Sequence, residues 1–233
     1  MPSLKQCLTL PDNYNWGGRV ETPTGPYFHH SYGGRVLGVA HLDTVLQATP
    51  RKSGNYVFAP QLDDRLGVWC LLNALPKMGI QLDILLTTGE ETCQTTAREF
   101  PLSDYNWVVE FDRAGTDVVL YQYDTKLWAD TWRGWKIGRG SFSDIVDLDL
   151  GVCCANIGIG YHNQHSYYCH ANLDDTQKQL FKFAQFYEKN KDTKFEFEFE
   201  FDGFNSFDSL EELDSRYDEF DSYESWLYSK VKA

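Results

Sequence analysis

The chain has 233 residues, enough for one large domain or for one domain with an appendage. Its 34 Asp and Glu outnumber 21 Lys and Arg, and the net charge of -13 argues against nucleic acid or an anionic membrane as the main partner. No apolar stretch approaches the roughly 20 residues that span a bilayer, "MPSLKQCLTLPDNYNW" has no signal-peptide core, and six cysteines without a C-x-x-C pair read as reduced thiols in a cytoplasmic protein.

In chain order, "RVLGVAHL" (35–42) is short, β-branched and apolar, the pattern of a buried strand. A helix follows over 64–75, with Leu66, Trp69, Leu72 and Leu75 at helical spacing and Pro76 as its stop. "LDILLTT" (82–88), "NWVVEFD" (106–112) and "DVVLYQY" (117–123) are further strands, and "SFSDIVDL" (141–148) reads as a short capped helix. "CANIGIGY" (154–161) is another strand. Residues 174–190 form an amphipathic helix with Leu180, Phe183, Ala184 and Tyr187 on one face. Alternating strands and helices imply an α/β domain over residues 1–190, built on a mixed, mostly parallel sheet with helices on both faces.

Residues 191–233 form an acidic aromatic appendage. "KFEFEFEFD" alternates strictly, which puts Phe195, Phe197, Phe199 and Phe201 on one face of a strand. Beyond it Leu210, Leu213, Tyr217, Phe220 and Leu227 fall at helical spacings. Such a stripe needs cover, so the appendage is expected to pair with a sheet edge, a second copy or a protein partner.

The polar residues that end the apolar runs carry the chemistry. His41 and Asp43 end the first strand in "AHLDTV", and Asp63 and Asp64 open the first helix in "QLDDRLG". Glu90 and Glu91 follow the next strand in "TTGEETC", Asp112 ends the one after, and His162 and His165 follow the last in "GYHNQHSYY". A parallel sheet gathers its strand ends on one rim. Carboxylates crowded there repel one another unless cations neutralise them. Imidazole and carboxylate donors without thiolate suit zinc, or else manganese or cobalt.

The order H-x-D, D-D, E-E, D and a final His resembles the co-catalytic dizinc exopeptidases, most of all peptidase T and related tripeptidases. "LDDRLG" is also similar to the leucyl and glutamyl aminopeptidases of that superfamily, and "RGSFSDIVDLDLGVCCANIGIGYHNQHS" resembles its R-G-G-T-D, G-x-P, N-x-x-x-G and His block. The likeness covers roughly residues 35 to 190. It implies two zinc ions, with manganese or cobalt as alternatives. His41 and Asp112 would ligate one, Glu91 and His165 the other, and Asp63 would bridge them. Asp43 would orient the His41 imidazole, Glu90 would be the general base, and the Asp63–Asp64 peptide is expected to be cis. Only about two dozen residues separate Asp112 from Arg139, so the lid domain of peptidase T is expected to be missing.

Some readings stay open. His162 competes with His165, although the small residue after His165 favours it. Arg139 either holds a substrate carboxylate or pairs with an acid. The expected activity is an aminopeptidase on short peptides. Its rivals are a carboxypeptidase or N-acyl amino acid deacylase on the same scaffold, for which Arg139 and Arg113 are the candidate anchors, and a non-catalytic binding or assembly protein.

Overall fold

The structure is a computed structural model, and it describes residues 1–11 and 13–197. After helix α1 (Leu4–Thr9) come strands β1 (Arg19–Thr22), β2 (Gly25–His30), β3 (Val36–His41), β4 (Arg51–Ser53) and β5 (Tyr56–Phe58). Helix α2 (Leu62–Trp69) runs through a π-helical stretch (Cys70–Ala74) into α3 (Leu75–Lys77). Strands β6 (Asp83–Thr87), β7 (Trp107–Arg113) and β8 (Val118–Val119) precede α4 (Lys126–Thr131). Strands β9 (Cys154–Gly158), β10 (Tyr161–His162) and β11 (His170–Asn172) lead into α5 (Leu173–Asn190).

Seven strands form the main sheet in the order β1-β2-β6-β3-β7-β9-β8, parallel from β6 through β9 and antiparallel at both edges. The β10-β11-β5-β4 order makes a smaller antiparallel sheet. This is the α/β class expected from the alternation. Side chains one residue apart on a strand face opposite ways, which sorts the cover. Phe111 and Trp107 meet Phe183 and Phe186 of α5. On that same face, aligned with Val109, Gly38 gives space to Leu71. The opposite face, with Glu110 and Thr87, is covered by the 3-10 turn Asp144–Val146.

Gly67 lets α2 settle directly on β7. A Cβ there would lie 2.2 Å from the Phe111 carbonyl oxygen, so only glycine permits this approach. Behind it Arg65 is buried and bonds the carbonyl oxygens of Leu42, Cys7 and Leu10, tying α1 to the end of β3. A second layer of core is aromatic: Trp128, Trp132 and Phe186 stack around Trp107.

Three elements differ from the sequence reading. Pro76 does not stop its helix. The helix closes one residue later, at Lys77. The strand expected over 117–123 is only Val118–Val119, because Leu120 turns into a 3-10 helix at Tyr121–Tyr123 whose Tyr123 hydroxyl bonds the Ile145 carbonyl. Over 141–148 the helix is a single 3-10 turn, Asp144–Val146. The compact unit runs from Met1 to Glu198, and Phe195 is buried in it against Trp128. Phe197 stacks edge-on with Tyr123. The expected strand beyond them, with Phe199 and Phe201, and the following helix lie outside the described residues. Among the described residues, no helix is long and apolar enough to cross a membrane.

Candidate metal centre

The parallel register brings the ends of β3, β6 and β7 to one rim. His41 is the last residue of β3 and fully buried. Its Nδ1 lies 2.9 Å from the Asp43 carbonyl oxygen, so that nitrogen donates and Nε2 faces the carboxylates. Nε2 is 3.2 Å from Asp112 Oδ1, 3.4 Å from Asp63 Oδ1 and 3.8 Å from Glu90 Oε2. On the outer side His165 Nε2 is 3.1 Å from Asp63 Oδ2 and 3.0 Å from Glu91 Oε2. Asp63 thus faces both imidazoles, one with each oxygen. The Asp63–Asp64 peptide is cis.

Asp43 contacts His41 mainly through its carbonyl, since its carboxylate is 3.7 Å from Nδ1. That carboxylate accepts the N–H groups of Gly89 at 2.9 Å, Glu90 at 3.4 Å and Glu91 at 3.1 Å. It therefore holds the turn that presents both glutamates. Asp64 points the other way: its oxygens accept the N–H of Gly67 and of His41, joining the start of α2 to the end of β3.

His162 is exposed, and its ring lies against His170 rather than in the cluster. Arg113 makes a bidentate pair with Asp117, at 2.6 and 2.9 Å. Arg139 is exposed on the loop between Gly138 and Gly140, which pack on Asp117 and Tyr121. Between Asp112 and Arg139 the chain forms only the end of β7, β8, a 3-10 turn and α4, with no lid domain.

Other residues complete the rim. The Tyr161 hydroxyl, buried, lies 3.2 Å from Asp63 Oδ1 and 3.3 Å from Asp112 Oδ1. Beneath the cluster, Glu110 and Asp144 are fully buried. Glu110 accepts the Ser143 hydroxyl and the Asp144 N–H, and Asp144 accepts the Thr87 hydroxyl. Asn156 links this floor to Asp112 by accepting its N–H at 3.1 Å.

The electrostatics follow from that crowding. Burial, then repulsion from Asp112, Asp144 and Glu91, lifts the Glu90 carboxyl to about 9 against the pull of His41. Burial likewise lifts Asp112 to about 7. Burial works against a charged His41, yet Asp112, Asp43 and Asp63 hold its imidazole well above the ordinary value. Hydrogen bonds to Asp63 and Glu91 raise His165 to about 10. Only added positive charge lets these carboxylates ionise together.

Divalent cations fit this demand. His41, Asp63 and Glu91 form one group of donors, and His41, Glu90 and Asp112 another, with the atoms of each within 4.8 Å of one another. His41 Nε2 and Glu91 Oε1 are buried without a hydrogen-bond partner among the described residues. A buried polar atom in that state costs about 1–3 kcal/mol, and coordination would satisfy both. The donors are imidazole and carboxylate, suited to zinc, manganese or cobalt.

No protein-family model and no curated protein sequence matches the chain. Solved structures do. Aminopeptidase PepT from Bacillus cereus superposes with a TM-score of 0.53 at 11% identity, over 73% of this chain and 88% of that one. A tripeptidase from Staphylococcus aureus gives 0.54 at 11%, over 72% and 87%. PhTET1-12s, a dodecamer in its crystal, gives 0.52 at 13%, over 79% and 97%. At these identities the likeness is one of fold. The chain shares the fold of these three structures.

Proposed function

We propose that the chain is a dinuclear metal-dependent exopeptidase, an aminopeptidase acting on short peptides. The observation that carries this reading is the placement of Asp63 between two imidazoles, with Asp112 beside one and Glu91 beside the other. Asp63 would bridge, His41 and Asp112 would complete one site, and Glu91 and His165 the other. Two zinc ions, or manganese or cobalt, would supply Lewis acidity to polarise the scissile carbonyl and acidify water.

The remaining work falls to the chain's own groups. Glu90 stands at the edge of the cluster, 13% exposed, where it meets both the buried donors and solvent. It would take a proton from the attacking water and return it to the leaving amine. Asp43 holds that glutamate in place through the three N–H groups of its turn.

The choice of aminopeptidase over a carboxypeptidase or deacylase rests on the cations. The rivals need a basic group for the substrate carboxylate, and Arg113 is already engaged by Asp117. Arg139, exposed, is the residue left for that role. The experiment compares a short unblocked peptide with its N-acetylated form, read by mass spectrometry of the products. An aminopeptidase releases the N-terminal residue from the first and leaves the second intact. Equal cleavage of both, or cleavage of the acetyl group, would overturn the assignment.

A further inference from the structure

A cavity of about 570 Å³ opens on the surface between α1, the π-helical end of α2 and the β4-β5 hairpin. None of the candidate metal ligands lines it. Leu4 and Trp69, both half-buried, supply apolar wall. Lys5, Arg51, Lys52 and Lys77 stand around it, all exposed, and no Asp or Glu is among its lining residues. In a chain with a net charge of -13, four cations converging on an apolar groove without one acid is a local reversal of sign. Such a groove attracts a segment that is anionic and apolar together.

The chain carries a segment of that chemistry. Residues 198–233 hold eleven Asp and Glu against three Lys and Arg, interleaved with Phe, Tyr, Leu and Trp. We infer that the groove is the docking site for the acidic aromatic C-terminal segment of a second copy of this chain. Exchange between two copies makes the contact reciprocal, each groove filled by the other's segment, which closes at two. The aromatic side chains bury against the Leu4 and Trp69 wall, and the carboxylates meet the lysines and Arg51 at its rim. Exposed charge pairs of this kind weaken as salt rises, so the contact is salt-sensitive.

The test is analytical ultracentrifugation of the full chain, with two charge-reversed variants. One carries Lys5→Glu, Lys52→Glu and Lys77→Glu in the groove. The other carries Glu211→Lys, Glu212→Lys and Asp214→Lys in the C-terminal segment. The expected result is a dimer whose dissociation constant rises at least about tenfold in either variant alone and with added salt. Mixing the two variants restores association between them, which a folding defect would not do; circular dichroism melts check each variant. A full chain that is monomeric throughout, an assembly insensitive to both reversals, or variants that fail to associate when mixed would overturn the inference. So would a monomer in which the groove reversal loosens the same chain's own C-terminal segment, read as a larger frictional ratio.

Discussion

Asp64 gives the sharpest test of how the centre is built. It is fully buried, and its two oxygens accept backbone N–H groups, from Gly67 at 3.1 Å and from His41 at 3.3 Å. Burial, Asp112 and Asp63 push its carboxyl up, while His41 and the Gly67 N–H oppose that. With cations beside it the ionised form is favoured, and an ionised carboxylate is acceptor-only. Asp64→Asn keeps the shape but turns one acceptor into an NH2 facing an N–H donor. The variant loses one hydrogen bond to a charged group and strands a buried donor, together about 3 kcal/mol. For a chain of this size each kcal/mol is worth about 2–4 °C, so the melting temperature of the metal-loaded protein should fall by roughly 6–12 °C. Calorimetry of wild type and variant, both saturated with zinc, reads it. A drop under about 2 °C would mean that the carboxyl is already neutral, with its proton donated to some other group, and the link between α2 and β3 would have to be redrawn.

Other consequences follow from the same geometry. Glu90→Gln should lower peptide hydrolysis by about 10²–10⁴-fold or more while metal content stays at the wild-type level; activity within a few-fold of wild type would remove Glu90 from its role. His165→Ala should lower the metal content of the chain measured by plasma mass spectrometry, and His162→Ala should leave it unchanged; the reverse pattern would move the ligand to His162. The metal-free protein should lose thermal stability as pH rises. Glu90 is raised from 4.5 to about 9 and His165 from 6.5 to about 10. A raised group's stabilisation is whole below its unfolded value and lost as pH climbs through the folded one. Melting temperature should therefore fall between about pH 4.5 and pH 10 in chelator, and metal loading should flatten the decline. A metal-free profile that is level or rising over that window would contradict the burial of these carboxyls.

Much of the centre was legible because charged residues directly after apolar runs mark strand ends. His41, Asp112 and the Glu90–Glu91 pair are of this kind, and the parallel sheet brings them together. Asp63 and Asp64 stood out by their adjacency at a helix start, although their division of labour shows only in where each side chain points. Tyr161 was not legible as part of the site, since a tyrosine in "IGIGY" reads as core until its hydroxyl is seen between Asp63 and Asp112. Glu110 was hidden for a similar reason: inside "VVEF" it looks like the solvent side of an alternating strand, yet the 3-10 turn at Asp144 covers that face. Asp43 could be paired with His41 by spacing, but its grip on the glutamate turn depends on a contact across 46 residues. Strands β1 and β4 are polar, and β5, the three residues Tyr56–Phe58, is too short to show a periodicity.

The central claim is that this rim of carboxylates and imidazoles is a two-metal centre, and metal stoichiometry tests it most directly. Protein stripped with chelator, dialysed against buffered micromolar zinc and analysed by inductively coupled plasma mass spectrometry should hold about two ions per chain. Retention should fall together with pH, as protons compete for the same oxygens and nitrogens. A chain that returns from dialysis with only trace metal, while circular dichroism shows it folded, would contradict the account.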